Sequence, residues 1–443
     1  MWAALLWERA KVLHSVPVAV LVIIAALDSA DKALLGASFP MLETTLGLHV
    51  DTLGYFSLFT NLSYALSLPF WGWLVHRYTV QNAHNILCIS CFLWGAATLS
   101  IARSETVLAQ AFFRSINGGA LASILPLSQM MLVDLVPSSV RGSAFGLMGF
   151  LEKIAATLAT SAVIWFEDWR IPYFVVGSIS VLMAVCAKQY LRMKTKMKKD
   201  ETSSGDELSV LGIFKRISQV PSFVYLVAQG VFGAIPWDMM SFVLLLLEWK
   251  DFTKEQVISF SVAGGVFGTV GAFLGGVLGD YFAYLPAGRV NVALVSVLSG
   301  ILSYGLFLFS KNYVYCLFFY SMFHLTGGWC PAAALRPLCA DLANNQSERA
   351  QIVAFWVLLE KTSSALFGAP LVGFLTGKLF DEKQVSTNWE KAHVLATNMF
   401  LLSTFFWGVC AYFFTLMGRA ECDRKRSTQE EDTKNKRGVP SLV

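Results

Sequence analysis

The chain has 443 residues, of which 55% are hydrophobic and only 14% charged, with a net charge of +4. A soluble domain carries about 25% charged residues, so a chain this apolar has too little polar surface to offer water. The basic residues sit in short segments between apolar blocks, which argues against a nucleic-acid partner.

Residues 1–16, with Trp2, Trp7, Arg9 and Lys11, read as a short interfacial segment rather than a cleavable signal. Apolar blocks follow near 17–38, 52–75, 83–102, 106–134, 142–165 and 171–192. Residues 193–221, with Lys194, Lys196, Lys198 and Lys199 before a Ser-Ser-Gly run, form a solvated linker. Blocks resume near 222–248, 256–279, 290–310, 312–340, 350–379 and 393–418. Each is long enough to cross a hydrocarbon core of roughly 30 Å as a helix. The polar tail, 419–443, mixes charges and is expected to be disordered. The predicted fold is thus an all-α membrane protein of about 12 transmembrane helices in two six-helix bundles, 17–192 and 222–418.

Loop charge sets the predicted orientation. The loops on the side of the termini hold most of the lysines and arginines, which places both termini and the linker in the cytoplasm. The membrane itself, plasma membrane or organelle, is not specified. The eight cysteines imply no disulfide framework, since all but Cys422 lie in apolar blocks. Six scattered histidines form no metal cluster, and no cofactor motif is present. Asn61 and Asn345 begin glycosylation sequons in a span and a cytoplasmic loop, where they read as chance matches.

The two halves repeat one another. Gly118-Gly119, Arg141 and Leu151-Glu152-Lys153 recur as Gly327-Gly328, Arg349 and Leu359-Glu360-Lys361, at offsets of 209, 208 and 208. Gly72 and His76 match Gly276 and Asp280. Repeated six-helix halves suit alternating access about a site near the bilayer midplane.

Charges inside the blocks carry the most information, because each costs roughly 2.5–3.5 kcal/mol at the bilayer centre on insertion scales. In the first block Asp28 and Lys32 are four apart, share a face and can pair. Asp31 turns away from Lys32 and is free to meet another helix. Arg114, mid-span in the fourth block, is the cation left for it. Asp28, Asp31 and Arg114 form either a substrate or proton site or a structural ion-pair lock. Glu152 and Glu360 each precede a lysine at mid-membrane depth. Each either carries a proton in a water-poor site or pairs with a neighbouring helix. In the seventh block Pro236 removes a backbone hydrogen bond beside Trp237 and Asp238, which are candidate substrate contacts. The tenth block offers His324 and Arg336 near Pro331 and Pro337. The glycines of the eighth block, Gly264 to Gly279, read as close helix packing.

These features together resemble the major facilitator superfamily over residues 15–420. The family's Gly-x-x-x-Asp-Arg loop motif is represented by Gly72, His76 and Arg77, with His76 in place of the aspartate; the second copy keeps Gly276 and Asp280. The resemblance implies a cytoplasmic gate at these residues and a pH-dependent variation of it through His76. The fourth-block motif is Arg114-Ser-Ile-Asn-Gly118-Gly119, and in the family that arginine often serves coupling or substrate contact. Asp31-Lys32 with Pro40 is similar to the first helix of spinster-like lipid transporters and organic-anion symporters, whereas Ala120 departs from the acid usual in the spinster-like group.

The expected function is transport of a small organic solute by alternating access, secondary-active or facilitative, coupled to a proton through Asp28, Asp31 or an intramembrane glutamate. The alternative is a transporter-like receptor or scaffold that binds a ligand without net flux. No nucleophile–base pair or metal set supports an enzyme. The expected partners are the solute, membrane lipid and H+, with the chain acting as a monomer.

Overall fold

The computed structural model describes residues 15–78, 83–137, 141–191, 216, 218–285, 287–335, 338–339, 346–383, 385 and 387–437. The N-terminal segment 1–14, Asn345, Arg336, Pro337 and most of the linker lie outside them.

The described structure is helical, with no strand among the described residues. The first helices are α1 (Val16–Leu46), α2 (Val50–Tyr78), α3 (Ala83–Arg103), α4 (Val107–Leu135), α5 (Arg141–Phe166) and α6 (Arg170–Tyr190). A broken span follows: α7 (Pro221–Gly233), α8 (Ile235–Met239), a tighter turn over Met240–Phe242, and α9 (Val243–Trp249). Then come α10 (Lys254–Tyr281), α11 (Gly288–Phe309) and α12 (Tyr313–Thr326), with a wide π-helical turn over Pro331–Leu335. The last are α13 (Gln346–Phe367), α14 (Ala369–Lys383) and α15 (Asn388–Arg437). Nine helical runs are long and apolar enough to cross a membrane among the described residues.

Local chemistry explains several boundaries. α1 begins with Pro17 in its first turn, where a missing N–H costs nothing, and ends at Gly47 with φ +62°. With no such stop before Gly47, the helix outruns the apolar block 17–38. Thr106 caps α4 by accepting from the Ala109 N–H at 3.3 Å, and Asn312 caps α12 by accepting from Val314 N–H at 2.9 Å. The seventh span breaks at Pro236, which cannot donate into the helical ladder. The tail expected to be disordered is instead helical to Arg437. Residues 419–437 contain neither Gly nor Pro and are rich in Arg, Lys and Glu, all good helix formers.

The chain forms two compact units. Unit 1 comprises Met1–Ser203, Trp237–Gly265 and Lys361–Met399; unit 2 comprises Ser204–Pro236, Val266–Glu360 and Phe400–Val443. In unit 1, α1 packs on α4, α5 and α6, α2 on α4, and α3 on α4 and α6. The backbone of Gly118 approaches Thr60 so closely that no side chain fits there. α9 also packs on α1, and α14 on α2. In unit 2, α10 lays Gly271, Gly275 and Gly279 against Leu325, Trp329 and Ala333. Tyr304, Phe307, Phe323 and Trp407 fill the core of that unit with rings packed at tilted angles.

Candidate functional site

The charges of α1 sort onto two faces, as a helical turn of roughly 100° per residue requires. On one face Lys32 Nζ meets Asp28 Oδ2 at 2.7 Å. Asp28 is buried, with a side chain 4% exposed, and its Oδ1 has no hydrogen-bond partner. Lys32 is more open, at 38%, and its ammonium lies 4.9 Å from the centre of the Tyr64 ring on α2. Glu152 on α5 lies within electrostatic reach of both. On the other face Asp31, also buried, accepts from Thr98 Oγ1 on α3 and from Asn117 Nδ2 on α4, both at 2.8 Å. Asn117 Nδ2 also donates to Thr98 Oγ1 at 3.0 Å. The two donors are neutral, so Asp31 is held by hydrogen bonds to a carboxylate rather than by an ion pair.

Arg114 stands apart from these acids. It is 2% exposed and has no acid within 4 Å among the described residues. Its Nη1 donates to Tyr173 Oη at 3.2 Å. Its guanidinium lies over the rings of Phe56 at 5.2 Å and Tyr173 at 5.6 Å. The Nε and Nη2 groups are buried with no partner. Those two groups form one edge of the guanidinium fork, the edge that matches the two oxygens of a carboxylate. Asp28, Asp31 and Arg114 are therefore not gathered into one ion-paired cluster. Each serves a separate contact set, because the two faces of α1 are served by different helices.

Asp238, at the break in the seventh span, is a second polar node of unit 1. Its Oδ1 accepts from Asn61 Nδ2 at 2.6 Å and from Ser57 Oγ at 3.2 Å, both on α2. Its Oδ2 accepts from the backbone N–H of Ala369 at 2.8 Å, at the start of α14. A carboxylate at a helix N-terminus meets unpaired N–H groups and a favourable dipole. Near the loops, Glu43 accepts from Trp249 Nε1 at 3.0 Å and pairs with Lys391 at 3.3 Å. The Lys391 ammonium lies 5.4 Å from the centre of the Trp249 ring.

The remaining predicted residues fall elsewhere. Trp237 is 40% exposed beside Asp238. In unit 2, His324 is half-buried on α12 against the rings of Tyr320 and Phe323. Glu360 lies by Gly230, where an added Cβ would stand 3.6 Å from its Oε2. Asp280 pairs with Arg289 at 2.7 Å on an exposed surface. Gly72 is exposed and Gly276 half-buried, while the side chains of His76 and Arg77 lie outside the described residues.

The contacts that sequence reasoning missed are uncharged: Ser57, Asn61, Tyr64, Thr98, Asn117 and Tyr173. A lone polar residue in an apolar block is too common to be read as a site. Asn61 shows this well, since its amide is committed to Asp238 and Ser57.

Comparison with known proteins agrees with this architecture. Residues 21–369 match the model of the Major Facilitator Superfamily. The chain is 24% identical over 428 residues to the uncharacterized transporter YybO of Bacillus subtilis, covering 89% of this chain and 92% of that one. It is 23% identical over 266 residues to the galacturonate transporter of Dickeya chrysanthemi, covering 55% and 74%. The fold is similar to that of a bacterial homologue of the human lysosomal transporter Spinster, in an inward-facing and unoccupied conformation, with a TM-score of 0.79, 16% identity, and 94% and 98% of the two chains covered. The buried charges of α1 and α4 thus lie in a multi-pass membrane transporter, not an enzyme, and the chain belongs to the major facilitator superfamily.

Proposed function

We propose that this transporter carries a small organic solute bearing a carboxylate, by alternating access, and that the unpaired edge of Arg114 receives that carboxylate. The carrying observation is the buried guanidinium whose Nε and Nη2 lack partners. Leaving a buried charge unpaired costs several kcal/mol in a folded protein. A state that admits an anion to that edge recovers this energy, and the cost favours binding over a passive lock. The name of one relative, a galacturonate transporter, points to the same solute class.

Proton coupling belongs to the same reading. Asp31 is held only by neutral donors, so it can change protonation without abandoning a cation, and Asp28 keeps one unpartnered buried oxygen that can take a proton while the other faces Lys32. Two six-helix halves, 17–192 and 222–418, acting as a monomer in lipid with both termini cytoplasmic, complete the proposal. The excess of lysine and arginine in the loops on the side of the termini supports that orientation.

The test is uptake into proteoliposomes of the purified full chain. A panel of sugar acids is compared with the matching neutral sugars, with and without an imposed pH gradient. Uptake of an acid but not its neutral counterpart, lost in Arg114→Ala, is expected. Equal uptake of both would overturn the carboxylate assignment, and rates indifferent to the gradient would remove proton coupling.

A further inference from the structure

The node at Asp238 joins three elements that a transporter must separate when it opens. Trp237–Phe242 and α9 belong to the broken seventh span, α14 to the broken eleventh, and α2 to the first half of the chain. Within unit 1 these elements are pressed together. A Cβ on Gly54 of α2 would stand 2.8 Å from Ala369 O, and one on Gly373 of α14 2.7 Å from Val50 O; the seventh span also meets α1, where a Cβ on Gly36 would stand 3.1 Å from Ser241 O. Asp238 is tied by hydrogen bonds to both α2 and α14 at once.

All three groups around this carboxylate are donors. The amide of Asn61 and the backbone N–H of Ala369 need an acceptor oxygen, while the hydroxyl of Ser57 donates to Asp238 and accepts from Asn61. α2 presents only these neutral groups. Lys361 on α13 is the charged group within electrostatic reach among the described residues, and no cation pairs directly with Asp238. The ionised carboxylate satisfies all three donors. Protonation forms an O–H bond at one oxygen, with hydronium giving up its proton to leave water. That oxygen becomes a donor, which the Ser57 hydroxyl can turn to accept, but the Asn61 amide loses its charged acceptor, and a hydrogen bond to a neutral carboxyl is roughly half as strong as one to a carboxylate. The Ala369 N–H and Asp238 both belong to the second half of the chain, so the bonds to Ser57 and Asn61 are the ones that yield.

We infer that Asp238 is a proton-operated latch, holding α2 against α8 and α14 as a carboxylate and releasing α2 when it takes a proton. The inference rests on the reading of the chain as an alternating-access carrier, and it assigns the proton that works this end of the molecule to Asp238 rather than to the acids of α1. It also removes Asp238 from the set of solute contacts, since its oxygens are already engaged.

The test measures distances across the latch. Nitroxide labels are placed at His49 and Thr387, both exposed near the ends of the elements concerned, in a full-length chain whose eight native cysteines are replaced. Pulsed electron paramagnetic resonance in nanodiscs compares about pH 8 with about pH 4, which reaches the range where aspartates take up a proton. The latch predicts a short distance at the higher pH and a longer one at the lower. Asp238→Asn, which presents an amide to the Ala369 N–H, is expected to give the long distance at both. The double change Ser57→Ala with Asn61→Ala leaves the carboxylate in place and is expected to do the same. Retention of the pH response in Asp238→Asn would overturn the latch, as would distances that ignore pH in the unmodified chain. Uptake separates this from the function proposed above. Gradient-independent uptake with Asp238-dependent distances removes proton-driven transport and leaves the latch standing. Gradient-driven uptake with immobile distances removes the latch and leaves the coupling to α1.

Discussion

Gly368 makes room for Asp238. A methyl group added at Gly368 would lie 2.5 Å from both Cβ and Oδ2 of Asp238, and equally close to Ser364 O. The break between α13 and α14 is therefore shaped around the carboxylate that caps α14.

Gly368→Ala should expel that carboxylate. Overpacking of this kind costs about 1–3 kcal/mol, since backbone on one side cannot yield. Thermal unfolding in detergent is expected to show a clear fall in midpoint. Gly146→Ala is the control, because an added Cβ there meets nothing within 4 Å. Its midpoint should be unchanged or higher, as alanine suits a helix better. Equal midpoints for the two variants would refute the packing argument.

Arg114 separates a binding role from a structural one. A guanidinium that locks helices should lower stability when removed. An unpaired buried charge should not, because its removal relieves an uncompensated burial cost. Arg114→Met keeps most of the volume. It is expected to reach the membrane folded, with an unfolding midpoint at or above that of the parent, while uptake falls at least about tenfold, roughly 1.4 kcal/mol. A large loss of stability with activity per folded molecule retained would assign Arg114 to structure instead.

The Asp28–Lys32 pair is asymmetric in burial, and the two single changes should differ. Lys32→Met leaves a buried carboxylate without its cation, which costs about 3–5 kcal/mol for a broken buried pair. Asp28→Asn leaves a lysine whose side chain is 38% exposed and still faces Tyr64 and Glu152. Its cost is expected to be nearer that of an exposed pair, about 0–1 kcal/mol. Chemical denaturation of the two variants checks the order, and the reverse order would show that Lys32 rather than Asp28 is the group shielded from water.

Glu43 and Lys391 are both partly exposed, at 20% and 27%, so their pair should contribute little to stability. Lys391→Ala is expected to cost about 0.2–1 kcal/mol, an effect that shrinks as salt is raised. Glu43→Ala removes the Trp249 hydrogen bond as well and should cost more. Midpoints measured at low and high salt distinguish the two.

What was legible in the amino-acid order is what depends on short range. Spans follow from runs of apolar residues whose length must match the bilayer. Internal duplication shows in the recurrence of Leu151-Glu152-Lys153 as Leu359-Glu360-Lys361. Asp28 and Lys32 pair because four residues is about one helical turn, and the break at Pro236 follows from its missing N–H. The tertiary structure alone decided which helix each outward-facing group meets. Asp31 and Arg114 look like natural partners by charge, yet Asp31 is taken by Thr98 and Asn117, and Arg114 lies over the rings of Phe56 and Tyr173. Asp238 is bound to a residue 177 positions away on α2 and to the first N–H of α14. Those choices depend on the rotation of each helix and the order of its neighbours. Neither is written into local spacing, because neutral partners such as Ser57, Asn61 and Thr98 carry no charge to mark them.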